Sequence, residues 1–349
     1  MPDDASSQSR GAERPPEIAR RYTLRNRRGT TAVLTDAGAS LMEFWSVDRN
    51  GGWADVVLGH DAPQAYLHND NYFGCTVGRV ANRISLSSFE CSGARHTLTA
   101  NEGEHHLHGG AGGFSSRLWR AEWLDLPGAA GALRFSLRSA DGEEGYPGNL
   151  DVSVTYQLDE QDGLLIEYQA STDKTTPVNL TNHSYWNLAG EGSALGHTLQ
   201  VQAGEYLEVD AALLPTGRRL AVAGDAFDFR YPLRLGDVLK QRPAGVDHCF
   251  VLNAAPRDNA LRDVALLTDH SSGRSLQVAT TEPCLQVYSG NVLDRVEGKS
   301  GRLYAQHSGI CLEAQGYINA PNRPEFPAIW LQPGEVYRQR TRYRCALAE

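Results

Sequence analysis

At 349 residues, with 33 basic against 42 acidic side chains and a formal charge of -9, the chain is long enough for one large domain or two. It has no lysine- and arginine-rich run that would follow a phosphate backbone, which excludes nucleic acid as an expected partner. Its six cysteines, Cys75, Cys91, Cys249, Cys284, Cys311 and Cys345, form no CxxC pair, and several fall inside apolar runs, as free thiols do in a reducing compartment.

Residues 1–19 are polar, proline-bearing and aperiodic, which predicts a disordered lead-in. The first twenty residues lack the apolar segment of a secretory signal, and no apolar run reaches the roughly 18 residues of a membrane helix, so a cytoplasmic protein with no membrane partner is expected. From Tyr22 the pattern turns to strand. Tyr22 to Leu24, Thr31 to Leu34 and Leu41 to Val47 are short β-type runs separated by turns such as Arg28-Gly29 and Asn50-Gly51-Gly52. Leu133, Phe135 and Leu137 alternate with polar neighbours, and Leu150, Val152, Val154, Tyr156 and Leu158 do so again, the period of a half-buried strand. The Asp159 to Gly163 turn and the run from Leu164 to Tyr168 predict an antiparallel hairpin over 150–170, and a second one spans Val264 to Val278 around Ser271-Ser272-Gly273. Helical signal is confined to Pro63 to Leu67 and Asp237 to Gln241. The class is therefore all-β, and residues 20–349, with no composition shift that marks a linker, are expected to form a single domain. Many antiparallel strands must bury two inward faces or close on themselves, giving a large sandwich or barrel-like arrangement with the ligand on a concave sheet face. Such a face suits sugars, because a row of alternating side chains presents several polar groups to one ring.

Candidate chemistry centres on Thr181-Asn182-His183-Ser184-Tyr185-Trp186-Asn187-Leu188. A histidine there can pass a proton either way, with Asn, Ser and Tyr to orient it, although alone the pattern equally describes a satisfied core histidine. Asn82 and Arg83 follow a glycine-punctuated β run, and Arg83 offers a planar fork of donors suited to hydroxyls or to a structural carboxylate. His106 and His108 stand two apart, on one face if extended, a spacing that could ligate a metal. No third ligand stands at motif spacing, so no metal site is expected. The Gly109 to Gly113 run has no strand–helix frame for a phosphate loop and reads as a sharp turn. Asp247 enters an apolar strand and could accept from hydroxyls or simply face water; Gln286, among apolar neighbours, needs a partner in the sheet or on a ligand. Glu313 lies inside the apolar run Gly309 to Gln315, where burial would raise its pKa toward working pH.

The segments GRVANRI, NEGEHHLHGG, DGEEGYPG, TNHSYWNLAG, VDHCF, LQVYSGN and CLEAQ, collinear between about residues 22 and 345, resemble the aldose 1-epimerases, also called galactose mutarotases. The resemblance implies a galactose mutarotase-like antiparallel β-sandwich, with His183 as general acid and Glu313 as general base. By matching positions it implies that Asn82, Arg83, His108, Asp247 and Gln286 bind substrate hydroxyls or orient that pair. The implied substrate is a free hexose such as glucose or galactose, with no metal or nucleotide cofactor, on a monomer or homodimer. Anomer exchange fits the residues, since it needs one base for the anomeric hydroxyl proton and one acid for the ring oxygen. The pH profile of kcat/KM is expected to be a bell whose alkaline limb belongs to the histidine. A hexose-6-phosphate 1-epimerase would need cations for the phosphate, with Arg79, Arg218 and Arg219 as candidates, and a non-catalytic carbohydrate-binding protein could share the fold. Two positions depart from the family pattern: Tyr317-Ile318-Asn319-Ala320, where an aromatic residue and Pro-Asp-Ala are usual, and Trp186, where Phe is. Both are expected at the rim of the sugar pocket.

Overall fold

The computed structural model describes residues 18–253 and 260–348. The expected lead-in over 1–19 falls outside the described residues except for Ile18 and Ala19; the Ala19 N–H donates to Gln64 Oε1 at 3.0 Å. The first strand is Arg21–Arg25, and it opens a four-stranded antiparallel meander with Thr31–Thr35, Ser40–Val47 and Trp53–Asp55.

Two larger sheets carry the architecture. The nine-stranded sheet runs in the order Arg120–Leu124, Ala129–Ser139, Leu150–Asp159, Gly163–Thr172, Tyr337–Leu347, Arg274–Thr280, Arg262–Thr268, Thr198–Val201, Leu233–Arg234. Both expected hairpins lie in it, and the alternation read from Leu150 to Leu158 is realised as five buried side chains on one face. The six-stranded sheet runs Tyr185–Trp186, Ile310–Gln315, Cys284–Tyr288, Asp247–Leu252, Ala203–Val209, Pro215–Ala221. One apolar cluster joins the two sheets: Phe135, Val154, Tyr156, Ile166, Val278 and Tyr343 from the larger, Trp186, Ile310, Leu312, Leu285, Val287 and Phe250 from the smaller.

In the smaller sheet, Cys284–Tyr288 and Ile310–Gln315 are buried at every position, so both of their faces are covered. Burying each large apolar side chain contributes about 1.5–3 kcal/mol. A one-residue slip of Ile310–Gln315 would carry Leu312 out of the core and put Glu313 into it, so the register is strongly specified. The helical segments are short: among the described residues the longest are a 3-10 turn at Pro63–His68, with proline in its first turn, and the α-helix at Leu235–Gln241, the others being three-residue 3-10 turns.

The second covered face lies under loops rather than a sheet, and glycines allow their close approach. Gly74 has φ +66°, and a Cβ there would overlap the Leu41 carbonyl oxygen; Gly109 has φ +88°, and a Cβ there would overlap the Gly78 carbonyl oxygen. Only glycine fits both demands at either position. The segment 72–84 is thereby pressed against 105–114, and the sharp turn expected at Gly109 and Gly110 is present, both at positive φ.

Candidate active site

Alternation in Ile310–Gln315 sends Ile310, Leu312 and Ala314 to the core and leaves Cys311, Glu313 and Gln315 on the opposite face. Antiparallel register then fixes their neighbours. Glu313 stands opposite Gln286, and Gln286 opposite Cys249; Cys311 stands opposite Tyr288 and, on its other side, Tyr185, and Tyr288 opposite Asp247. Two rows of side chains on one face thus hold an acid, an amide, a second acid and two phenols.

His183 is delivered to this face by the short strand Thr181–Asn182, which pairs with Thr76–Val77. Its backbone N–H donates to the Cys75 carbonyl at 3.0 Å and its carbonyl accepts from Gly74 N at 3.0 Å. Asn182 and Ser184 do not orient the imidazole as expected. Asn182 Nδ2 donates to the Gly74 carbonyl at 2.8 Å, and Asn182 Oδ1 accepts from Ser184 Oγ at 2.6 Å, so they fix the loop that carries it. The ring places Nε2 3.7 Å from Glu313 Oε1 and Nδ1 3.6 Å from Cys311 Sγ. Around it stand Tyr185 at 5.1 Å between centroids, Tyr72 at 5.7 Å, Tyr288 at 6.3 Å, and His108, whose ring lies nearly perpendicular at 5.2 Å.

The remaining expected residues converge on the same place. Asn82 N donates to His108 Nδ1 at 3.1 Å, which leaves the His108 proton on Nε2, and the His108 N–H donates back to the Asn82 carbonyl at 3.1 Å. Both residues have positive φ, 62° and 54°, a conformation that this reciprocal pair holds in place. Arg83 is gripped by Glu102 through Nε and Nη2, each at 2.7 Å. Gln286 Nε2 donates to Asp247 Oδ1 at 2.5 Å. Glu313 Oε2 and Gln286 Oε1 are buried with no protein partner, which is costly unless a ligand or water supplies donors.

Burial sets the electrostatics. His183 is 4 % and Glu313 2 % exposed. Desolvation lowers His183 to about 4 and raises Glu313 well above the usual carboxylate range, the charge of Asp247 adding to the second effect. His108 is held well below its ordinary value, first by desolvation and then by His183 and Arg83, so it is neutral. Asp247 is raised by desolvation, which Arg83 and Gln286 partly offset. Burial thus favours the neutral form of each group of the pair.

Several expectations are corrected. His106 and His108 do not share a face, because φ +54° at His108 breaks the extended alternation. Both nitrogens of His106 are occupied, by the Thr99 carbonyl at 2.6 Å and Tyr146 OH at 2.8 Å. Trp186 is not at the rim: one residue after Tyr185, it faces the core, against Tyr343 and Phe44. Tyr317 and Ile318 pack on Cys249 and Cys284 beside the site, whereas Asn319 turns its Oδ1 to the Ser85 N–H at 3.1 Å. The groups missed in the sequence are Tyr72, Tyr288, Cys311 and Glu102. Cys311 was legible, being two residues from Glu313 in a strand. A cleft of about 620 Å³ lies elsewhere, lined by Trp45, Trp53 and the Asp55–Lys299 ion pair, and contains neither His183 nor Glu313.

The family model described as aldose 1-epimerase matches residues 20–344. Galactose mutarotase of Bos taurus is 45% identical over 315 residues, covering 89% of this chain and 90% of its own. Aldose 1-epimerase of Escherichia coli (strain K12) is 36% identical over 333 residues, covering 93% and 94%. Among solved structures, an aldose epimerase homologue from C. elegans superposes with a TM-score of 0.88 at 32% identity, covering 95% of this chain and 100% of that one. A galactose 1-epimerase from Lactobacillus acidophilus NCFM gives 0.81 at 31% identity, covering 94% of each.

Proposed function

From the premise that the chain belongs to the aldose 1-epimerase family and is an isomerase of sugar anomers, we propose that His183 and Glu313 are the two proton-transfer groups and that the substrates are neutral free hexoses, glucose and galactose. The observation that carries this reading is the 3.7 Å approach of His183 Nε2 to Glu313 Oε1 on a face otherwise lined with hydroxyl-binding groups. The ring oxygen and the anomeric oxygen of a pyranose share one carbon, so two groups this close reach both.

In the form that starts ring opening, Glu313 takes the proton from the anomeric hydroxyl while His183 delivers one to the ring oxygen. The bond from the anomeric carbon to the ring oxygen breaks, leaving an open-chain aldehyde. Rotation about the bond between carbons 1 and 2 presents the other carbonyl face, and the two transfers reverse. Ring opening turns imidazolium and carboxylate into imidazole and carboxylic acid, the neutral form that burial favours. Each positioned group contributes about 10²–10⁴ in rate. His108, neutral with its proton on Nε2, donates to a substrate oxygen; Arg83, anchored by Glu102, offers its remaining donors, and Asp247 and Gln286 bind hydroxyls as a connected pair.

A phosphorylated hexose is disfavoured by where the three candidate arginines, Arg79, Arg218 and Arg219, point. Arg79 is buried and donates to Ser139 Oγ and to the carbonyls of Ser139, Ala140 and Pro147. Arg218 is ion-paired with Glu208, and Arg219 lies 3.5 Å from Glu205 at the far edge of the sheet. Polarimetry on freshly dissolved α-galactose, α-glucose and glucose 6-phosphate tests the reading. Acceleration of the first two and not the third is expected; a clear preference for the phosphate ester would overturn it.

A further inference from the structure

Three donors of different chemistry converge at this site: a His183 nitrogen, Cys311 Sγ and a Glu313 carboxylate oxygen, all within 4.8 Å of one another. We propose that this buried trio is a binding site for a thiophilic divalent cation of the Zn²⁺ type, and that the bound ion closes the site to sugar. The proposal rests on the catalytic reading of His183 and Glu313 only for the second half of that statement.

The donor set selects the ion. Thiolate, imidazole and carboxylate together match zinc, which takes four ligands at about 2.0–2.3 Å and leaves the fourth position open when three come from protein. Hard cations such as Mg²⁺ and Ca²⁺ require six or more oxygens, and the trio offers them a single carboxylate. Tetrahedral bonds of those lengths separate ligand atoms by about 3.3–3.6 Å. One ring nitrogen binds the ion: Nδ1 lies 3.6 Å from Cys311 Sγ, or Nε2 lies 3.7 Å from Glu313 Oε1, and the three ligand atoms all fall within 4.8 Å of one another, so the trio closes on an ion when the widest pair approaches by about an ångström or slightly more. Sheet register sets two of the three ligands, since Cys311 and Glu313 share a face of one strand. Glu313 Oε2, unpartnered and buried, adds a free lone-pair site. Proton balance is explicit: the thiol and the carboxylic acid each release one proton to solvent, neutral imidazole donates a lone pair, and two negative ligands neutralise the incoming charge. Cys311 and Glu313 are thereby held as anions, and the pair can exchange no proton with a hexose.

The test uses the full chain freed of metal by a chelator. Zn²⁺, Mg²⁺ and Ca²⁺ are titrated during mutarotation of galactose, and Co²⁺ is followed separately by absorption. Expected are inhibition by Zn²⁺ that is competitive with galactose and reversed by EDTA, no effect of Mg²⁺ or Ca²⁺, and a thiolate-to-cobalt charge-transfer band. In Cys311→Ala, and in Cys311→Ser, which keeps the volume, the band should vanish and half-inhibition should need at least about tenfold more Zn²⁺, each variant read against its own metal-free rate with folding checked by circular dichroism. Cys345→Ala, in the other sheet, should behave as wild type. No band in wild type, or a band and inhibition that survive in both Cys311 variants, overturns the metal site. A band that depends on Cys311 while turnover continues with metal bound overturns the blocking claim and the catalytic pair together, and leaves the ion site standing.

Discussion

The two faces of the six-stranded sheet are made by the same strands one residue out of phase, and they differ in what each side chain must do. Toward the core, Ile310, Leu312, Leu285 and Val287 meet the larger sheet, and each is judged by volume and contact alone. Toward the loops, Glu313 and Gln286 keep polar atoms buried without a protein partner. The first face is complete in itself, and under the proposed function the second is completed by substrate. Stability and turnover should therefore come apart between neighbouring residues.

The sharpest test of that separation is Glu313→Gln against Leu312→Ala. Glu313→Gln removes a proton acceptor from a covered face without changing volume, and turnover should fall by at least about 10² with the unfolding midpoint in urea little changed. Leu312→Ala leaves a cavity where the side chain is 1 % exposed, and should cost about 2–5 kcal/mol in the same titration while the folded fraction keeps its kcat. A large loss of turnover per folded molecule in Leu312→Ala would break the comparison.

The pH profile sharpens it further. The competent enzyme carries one mobile proton on the pair. Below about 4 His183 gains a second, and at high pH Glu313 loses the only one, so kcat/KM should be a bell with histidine on the acid limb and glutamic acid on the alkaline limb. This inverts the order that unperturbed values imply, because desolvation moves the two groups in opposite directions. Stopped-flow polarimetry should show the acid limb lost in His183→Asn and the alkaline limb lost in Glu313→Gln; the reverse assignment would mean that mutual attraction outweighs burial.

A smaller effect is expected from Glu102→Gln, which releases the fork of Arg83. Glu102 is about a third exposed, so its two charge-assisted bonds are partly screened, and KM for galactose should rise about three- to tenfold with kcat changed less. Trp186→Phe should do least. It gives up packed volume, at about 1–3 kcal/mol, but also removes an indole N–H that is buried without a partner, a relief of similar size. Thermal stability should shift by a few degrees at most, and the ratio of galactose to glucose activity should not move. A changed ratio would return Trp186 to the sugar pocket.

The strands were legible where one rule decided them. Alternation from Leu150 to Leu158 needed only a core on one side and none on the other. The strand that carries Glu313 was harder, because Ile310–Gln315 is covered on both faces and its composition does not announce a period; the role proposed for it came from family-like motifs rather than from pattern. Parity carried more than was drawn from it. It puts Cys311 beside Glu313 and turns Trp186 away from Tyr185. Tyr72 and Glu102 reach the site through loops whose paths depend on backbone turns at Gly74 and Gly109, which no local period encodes. The histidine pair misled for the same reason, since one residue at φ +54° undid the extended geometry that the spacing assumed.

All six cysteines are unpaired and buried: Cys249, Cys284 and Cys311 in the six-stranded sheet, Cys345 in the nine-stranded one, Cys91 in a separate two-stranded hairpin and Cys75 in the segment before Thr76. The native chain therefore offers no sulfur to a bulky maleimide or a colorimetric disulfide, and becomes reactive only when it opens. Labelling then works as a stopwatch. Cys345 and Cys284, in different sheets, would time the release of each, and matched rates would mean that the whole sandwich lets go at once.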